Sequence, residues 1–305
     1  KDFVRELTRK CFVNGIRIKN VQHLSKKNGR NAIVFQARTV GRSCVAAKKV
    51  VPVLTEVLRS GYYPDDSNRR IINEEYHQYI FIQEDRFKLL SGVARMNKGK
   101  SHFNGDNFLI SRLECGKAIA AIADGMGSGK RAYIESRMVI ELMENCIDAG
   151  FDEKASIDLI NSAYIAGGGT GNPVTMDMSV IDCQSGYMHC MKLGAVSTFI
   201  RRDKWVEIIQ STTLPMGVLE QVDYDCTTKK LYDGDYIVMV SDGVLDNIPW
   251  VNKEERMAQM IHALTIREPS AMAEKLLEQS LAYNDMKASD DCTVLVLGLF
   301  DTYEK

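Results

Sequence analysis

The sequence predicts an α+β fold, with antiparallel strands and paired helices grouped along the chain instead of alternating as βαβ units. Three observations carry this. Short apolar or alternating runs crowd residues 87–123 and 177–209. Helical segments stand in pairs, 128–149 with 153–166 and 253–264 with 269–283. Residues 1–83 read as a separate small α/β module before a larger domain over 84–301.

Taken in order, Phe3, Val4, Leu7 and Cys11 recur at helical spacing and predict an N-terminal linker helix. A hairpin follows, from 15–23 to 32–37, across the turn Lys26-Lys27-Asn28-Gly29. Ser43 is the expected N-cap of a helix over 45–58, with Gly61 just past its end. Residues 62–69 are polar and turn-rich and read as a loop. His23 and His77 have no neighbouring ligands. The domain boundary falls near residue 83, with the loop over 96–101 as its rival.

Strands are then expected over 87–95, 108–113 and 117–123. Gly127-Ser128-Gly129 opens a long helix with Met138, Val139, Leu142, Met143 and Cys146 at helical spacing, and Gly150 ends it. Short strands follow at 177–183, 187–193, 198–201 and 205–209, and the last is at 293–299. Asp233-Gly234, between 224–231 and 235–240, reads as a hairpin turn.

Composition bounds the function. The chain has 305 residues, is 45% apolar and carries a net charge of −1. There is no basic field to attract nucleic acid. No run approaches the ~20 apolar residues of a membrane span, so no membrane contact is expected from this chain. Eight cysteines form no Cys-x-x-Cys pair and read as buried free thiols in a reducing compartment. A first residue that is Lys, with no signal peptide, suggests a piece of a longer protein.

Three acidic clusters stand beside apolar runs. Asp124-Gly125 follows 118–123, Asp242-Gly243 follows 236–241, and Asp290-Asp291 precedes 292–297. Asp106, in Asn104-Gly105-Asp106-Asn107, adds a further carboxylate. A single Asp-Gly pair is a common turn. As a set at strand ends, such carboxylates repel one another unless a cation intervenes. With no His or Cys beside them, the ion they suit is hard, Mg²⁺ or Mn²⁺. Gly125, lacking a Cβ, allows its carbonyl to approach that ion.

Nucleotide readings fail. Residues 125–130, Gly-Met-Gly-Ser-Gly-Lys, are not a P-loop, and Lys130 occupies the last glycine position of a dinucleotide fingerprint. The Asp-x-Gly-x-Gly box of histidine-kinase-like ATPases needs Gly where Met126 stands. The stretch from Gly167 to Pro173 reads as a surface loop, and Leu214-Pro215-Met216-Gly217 as a rigid turn.

Gly105-Asp106-Asn107, Ala123-Asp124-Gly125-Met126-Gly127, Leu214-Pro215-Met216-Gly217, Ser241-Asp242-Gly243 and Asp290-Asp291-Cys292-Thr293 occur in one order. In this the chain resembles the PPM-type (protein phosphatase 2C-like) metal-dependent serine/threonine phosphatases. The resemblance is strongest to the bacterial branch that acts on partner-switching regulators of sigma factors, and it covers about 84–300. It implies two packed antiparallel β-sheets flanked by helices, and a regulatory role for the preceding module. It also implies two Mn²⁺ or Mg²⁺ ions ~3.5–4 Å apart that activate water at Asp124, Asp242 and Asp290. Asp124 would bridge, with the Gly125 carbonyl on one ion. Asp242 and Asp290 would hold the other, with Asp291 replacing or assisting Asp290, and Asp106 would face the Gly125 side. No other cofactor is expected. Gly127 and Gly129 would be hinges for a regulatory shift of the next helix, set by the N-terminal module or by a second copy of the chain in a homodimer.

The substrate implied is a phosphorylated anti-anti-sigma factor, whose dephosphorylation leads to sigma-factor activation during sporulation. The intact protein would be membrane-attached, with this chain on the cytoplasmic side. An Arg that positions phosphate in many eukaryotic members has no assigned counterpart. The alternative from another class is a pseudophosphatase, a phosphoprotein-binding regulatory module without turnover.

Overall fold

Alternating burial sorts the strands of this chain into layers. The structure, a computed structural model, describes residues 2–25, 30–41, 43–113, 115–166, 172–221 and 223–302. The chain divides into two units: residues 1–86 with 114–116 and 302–305, and residues 87–113 with 117–301. No helix among the described residues is long and apolar enough to cross a membrane.

In the first unit, helix α1 (Asp2–Val13) buries Leu7 and Cys11. Strands β1 (Ile16–Leu24) and β2 (Ala32–Thr39) pair antiparallel as expected. The turn Lys26-Lys27-Asn28-Gly29 lies outside the described residues. The helix expected over 45–58 is shorter. Residues Val45–Ala46 form β3, Ala47–Val50 a 3₁₀ turn, and only Val51–Leu58 the helix α2. Pro52 explains the late start, because its missing N–H and fixed φ suit a first helical turn. Ser43 is therefore not the N-cap, and Arg59, at φ 51°, closes the helix in place of Gly61.

The loop expected over 62–69 also needs correction. Tyr62–Pro64 is strand β4, because buried Tyr62 belongs to the core. Strand β5 (Ile71–Ile72) pairs β3, and β6 (His77–Gln83) completes a sheet of order β1-β2-β6-β4. Phe35 and Phe81 stack in its core with ring centroids 5.4 Å apart.

The second unit begins with β7 (Phe87–Met96), β8 (Asp106–Arg112) and β9 (Lys117–Gly125), then α3 (Lys130–Asp148) and α4 (Glu153–Ala166). It continues through β10 (Val174–Asp182), β11 (Tyr187–Leu193), β12 (Thr198–Arg201), β13 (Val206–Ile209), β14 (Asp225–Lys230) and β15 (Tyr236–Val240). Helices α5 (Asp242–Asp246), α6 (Lys253–Ala263) and α7 (Pro269–Leu281) precede β16 (Cys292–Asp301). One antiparallel sheet has order β14-β11-β10-β9-β8, the other β13-β12-β15-β16-β7.

Successive side chains on a strand face opposite sides. On β9, Ile119, Ala121 and Ala123 pack with α3 and α4, while Ala120 and Ile122 face the other sheet. On β16, Val294 and Val296 face α5, α6 and α7, while Leu295, Leu297 and Leu299 point inward. The result is a four-layer sandwich, helices–sheet–sheet–helices, and the predicted fold class holds.

One predicted hairpin does not. Asp233-Gly234 does turn the chain, with the Asp235 N–H donating to the Tyr232 carbonyl at 3.1 Å. Its flanking strands, however, lie in different sheets, β14 beside β11 and β15 between β12 and β16. β15 is buried on both faces and so belongs in the middle of a sheet, which a two-stranded hairpin cannot provide.

A buried ion pair crosses this inner layer. The Lys192 ammonium donates to Asp177 Oδ2 at 2.6 Å and to the Val196 carbonyl at 2.6 Å. The Thr198 hydroxyl, from the opposite sheet, also donates to Asp177 Oδ2. Lys192 is 1% exposed, so removing either charge strands the other without water. Lys192→Met should cost about 3–5 kcal/mol of stability, and Asp177→Leu with Lys192→Met much less. Urea denaturation checks this; equal losses in the two variants would contradict it.

Candidate active site

The same alternation gathers the acidic residues. Asp106 and Asp124 stand directly opposite one another in the β8–β9 register. Asp124 continues the inward set Ala120 and Ile122, and Asp106 shares the parity of Phe108, which packs on the inner core. Both carboxylates therefore face the gap between the sheets at one end of the sandwich, and like charges placed so are destabilising.

The opposite sheet supplies the rest. Ser241 and Thr293 have the inward parity of Met239 and Leu295. They are locked together, the Ser241 N–H donating to the Thr293 carbonyl at 3.0 Å and the Thr293 N–H to Ser241 Oγ at 2.9 Å. Immediately beyond, Asp242 opens α5, a short helix that the sequence reading missed, and Asp290-Asp291 leads into β16. A Cβ on Gly243 would stand 2.1 Å from the Asp291 carbonyl oxygen, so glycine is what lets these two segments touch. Likewise a Cβ on Gly125 would lie 2.3 Å from the Ala132 carbonyl oxygen, which ties the end of β9 to α3.

Asp290 and Asp291 are used differently. Asp291 is buried, and both its oxygens are engaged: Oδ1 accepts from the Lys98 N–H at 2.8 Å and Oδ2 from the Gly105 N–H at 2.7 Å. Asp290 is partly open to solvent. Its Oδ1 accepts from the Asp291 N–H at 2.9 Å and stands 3.5 Å from the Lys98 ammonium.

Electrostatics mark the cluster. Burial pushes Asp106 up to about 7, with the Asp242 and Asp291 charges adding and the Thr293 and Ser241 hydroxyls opposing. Those hydroxyls face it without closing a bond, for both buried oxygens of Asp106 and Thr293 Oγ1 lack a hydrogen-bond partner. Asp124 is raised to about 10, by burial first and then by Asp106 and Asp242. Asp242 is raised too, chiefly by burial and also by Asp246 and Asp290, although its rim is exposed to solvent. As the side chains stand, no three of His, Cys, Asp or Glu among the described residues close on one point.

Sequence reasoning missed two cations. The Arg95 guanidinium donates to the Asp106 carbonyl and lies 5.5 Å from the Phe108 ring centroid. Much of Arg95 is exposed, yet its head is sheltered enough for burial to lower its pKa against the pull of Asp106 and Asp291. Its register partner is Thr293, and β7 parity with Phe87 and Val93 could have placed it inward. Lys98 carried no periodic signal. Gly127 and Gly129 lie between β9 and α3 at φ 96° and 86°. The stretch 167–171 lies outside the described residues. In the predicted turn at 214–217, Met216 bridges Val174.

The family model for stage II sporulation protein E (SpoIIE) matches residues 115–300. The chain belongs to the SpoIIE family. It is 29% identical over 286 residues to stage II sporulation protein E of Bacillus subtilis, covering 93% of this chain and 34% of that protein. The Priestia megaterium protein is 30% identical over 253 residues, covering 83% and 43%. The chain thus spans less than half the length of either relative. The solved PP2C phosphatase domain of Bacillus subtilis SpoIIE, with a fragment of its regulatory domain, is 27% identical with a TM-score of 0.75. That match covers 99% of this chain and 91% of that one. The resemblance to the PPM-type phosphatases that the motifs carry is borne out, and the chain shares the fold of a PP2C phosphatase domain.

A raised carboxyl keeps in the folded chain a proton that the unfolded chain releases, so its contribution to stability is lost as pH climbs from the unfolded to the folded value. For Asp106 that window runs from 3.8 to about 7. With chelator present, the melting temperature should fall from about pH 4 to about pH 7, and Asp106→Asn should flatten the fall and melt higher at the upper end. A steady rise in both proteins would contradict this.

Proposed function

We propose that this chain is a metal-dependent protein serine phosphatase whose substrate is a phosphorylated anti-anti-sigma factor, within a pathway that activates a sigma factor during sporulation. The observation that carries the hydrolase reading is Asp106, with two buried, unpartnered oxygens opposite Asp124 and beside Asp242. Such a set suits a hard cation.

Asp124 and the Gly125 carbonyl would hold one Mn²⁺ or Mg²⁺ ion, with Asp106 on that side. Asp124, Asp242 and Asp290 would hold a second. Bound there, divalent ions lower the pKa of water and stabilise charge on phosphoryl oxygens. The protein's own groups do the positioning. Asp290, with an exposed oxygen, is the ligand of its pair. Asp291 spends both oxygens on backbone N–H groups and positions the 98–105 loop. Ser241 and Thr293 keep the ends of β15 and β16 in register beneath the carboxylates. The first unit would be regulatory, acting through α3 with Gly127 and Gly129 as hinges. Removing residues 1–83 should then shift the Mn²⁺ titration midpoint or the turnover rate, and identical curves would sink that role.

Turnover of p-nitrophenyl phosphate with Mn²⁺, with and without chelator, separates the phosphatase from a pseudophosphatase. Asp124→Asn should abolish it while the fold persists. Asp233→Asn, in the turn between sheets, should stay within about twofold of wild type. Asp290→Asn should lose activity with little change in melting, whereas Asp291→Asn should lose about 1–3 kcal/mol of stability. Equal activity losses at Asp124 and Asp233 would overturn the site assignment.

The finer reading rests on membership in this family and on the motif resemblance. A phosphorylated anti-anti-sigma factor should be cleaved faster than an unrelated phosphoprotein. The reverse order would leave a phosphatase with another substrate.

A further inference from the structure

One carboxylate closes the loop that leads into the site. Asp291 accepts from the backbone at both ends of it, from Lys98 N–H at 2.8 Å and Gly105 N–H at 2.7 Å. The loop is also braced inside. Asn97 Nδ2 donates to the Ser101 carbonyl at 3.0 Å, and Asn104 Nδ2 donates to Asn97 Oδ1 at 3.0 Å. The backbone of Lys98 is thus fixed against the Asp290-Asp291 pair while its side chain stays free to swing. The ammonium stands 3.5 Å from Asp290 Oδ1, with side chains 44% and 37% exposed.

An ion pair that open to water holds little by itself. A lysine clamped at its backbone beside a carboxylate that is itself a candidate ligand has a better use. When an ion engages Asp290, the ammonium loses its partner but cannot leave the rim. A phosphoryl group arriving there carries two negative charges and needs a donor from the protein. Arg95 is committed to the Asp106 carbonyl and to the face of Phe108. Lysine serves as a mobile point charge for phosphate. We propose that Lys98 is the side chain that holds the substrate's phosphoryl group at this site, an assignment that rests on the hydrolase reading above.

The test uses the whole chain saturated with Mn²⁺, inorganic phosphate as the probe and p-nitrophenyl phosphate as the reporter. Lys98→Met should raise the phosphate inhibition constant and KM about tenfold, and Lys98→Arg should recover most of the loss. The Mn²⁺ titration midpoint of Lys98→Met, read by calorimetry, should stay within about twofold of wild type, since the residue is not a ligand. Its melting temperature should match wild type. An unchanged phosphate inhibition constant with intact Mn²⁺ dependence overturns the assignment alone. So does a loss of Mn²⁺ affinity that parallels the loss of rate, the result expected of a mere strut for Asp290. If calorimetry finds no Mn²⁺-dependent phosphate binding by the wild-type chain, the hydrolase reading falls and this one with it.

Discussion

Two aspartates face each other directly across β8 and β9, and the end of the sandwich around them is arranged about that repulsion. Asp106 is wholly buried and Asp124 half-buried, and neither can be charged cheaply beside the other. A fold selected for stability alone would place apolar side chains there, as it does two residues further along the same face at Phe108 and Ile122. The strand pairs β8–β9 and β15–β16 instead end in carboxylates at the same end of the sandwich. The two Ser241–Thr293 hydrogen bonds, one to a backbone carbonyl and one to the serine hydroxyl, and the close packing at Gly243 hold the second pair in place.

Much of this was legible from pattern. On α3, Val139, Met143 and Cys146 read correctly as a buried helix face while Met138 is exposed, and the strand runs around 117–123 and 293–299 read correctly because buried strands are short and apolar. What pattern could not supply was pairing between distant segments. Asp233-Gly234 has the chemistry of a hairpin, yet its neighbours join different sheets, a choice made by the two-sided burial of β15. Residues 45–58 have helical composition, but Pro52 sets where the helix can begin, and Val45–Ala46 finds a strand partner 26 residues on.

The site was half legible in the same sense. Asp106, Asp124, Asp242 and Asp290 stood out by type and position at strand ends, and the structure brings their segments together. The difference between Asp290 and Asp291 was invisible, because it depends on which oxygens the 98–105 loop claims. Arg95 and Lys98 were missed for a related reason. Their place follows from the β7–β16 register and from a loop closed by a residue almost two hundred positions away. Strand parity could have turned Arg95 inward, but single-sequence periodicity carries no signal for which distant segments these cations meet.

The most direct measurement is anomalous scattering from crystals soaked in Mn²⁺. Density is expected enclosed by Asp106, Asp124, the Gly125 carbonyl, Asp242 and Asp290, with Asp291 still bound to the Lys98 and Gly105 N–H groups. Manganese bound elsewhere, or none within this set at saturating concentration, would contradict the claim that these carboxylates are a metal centre.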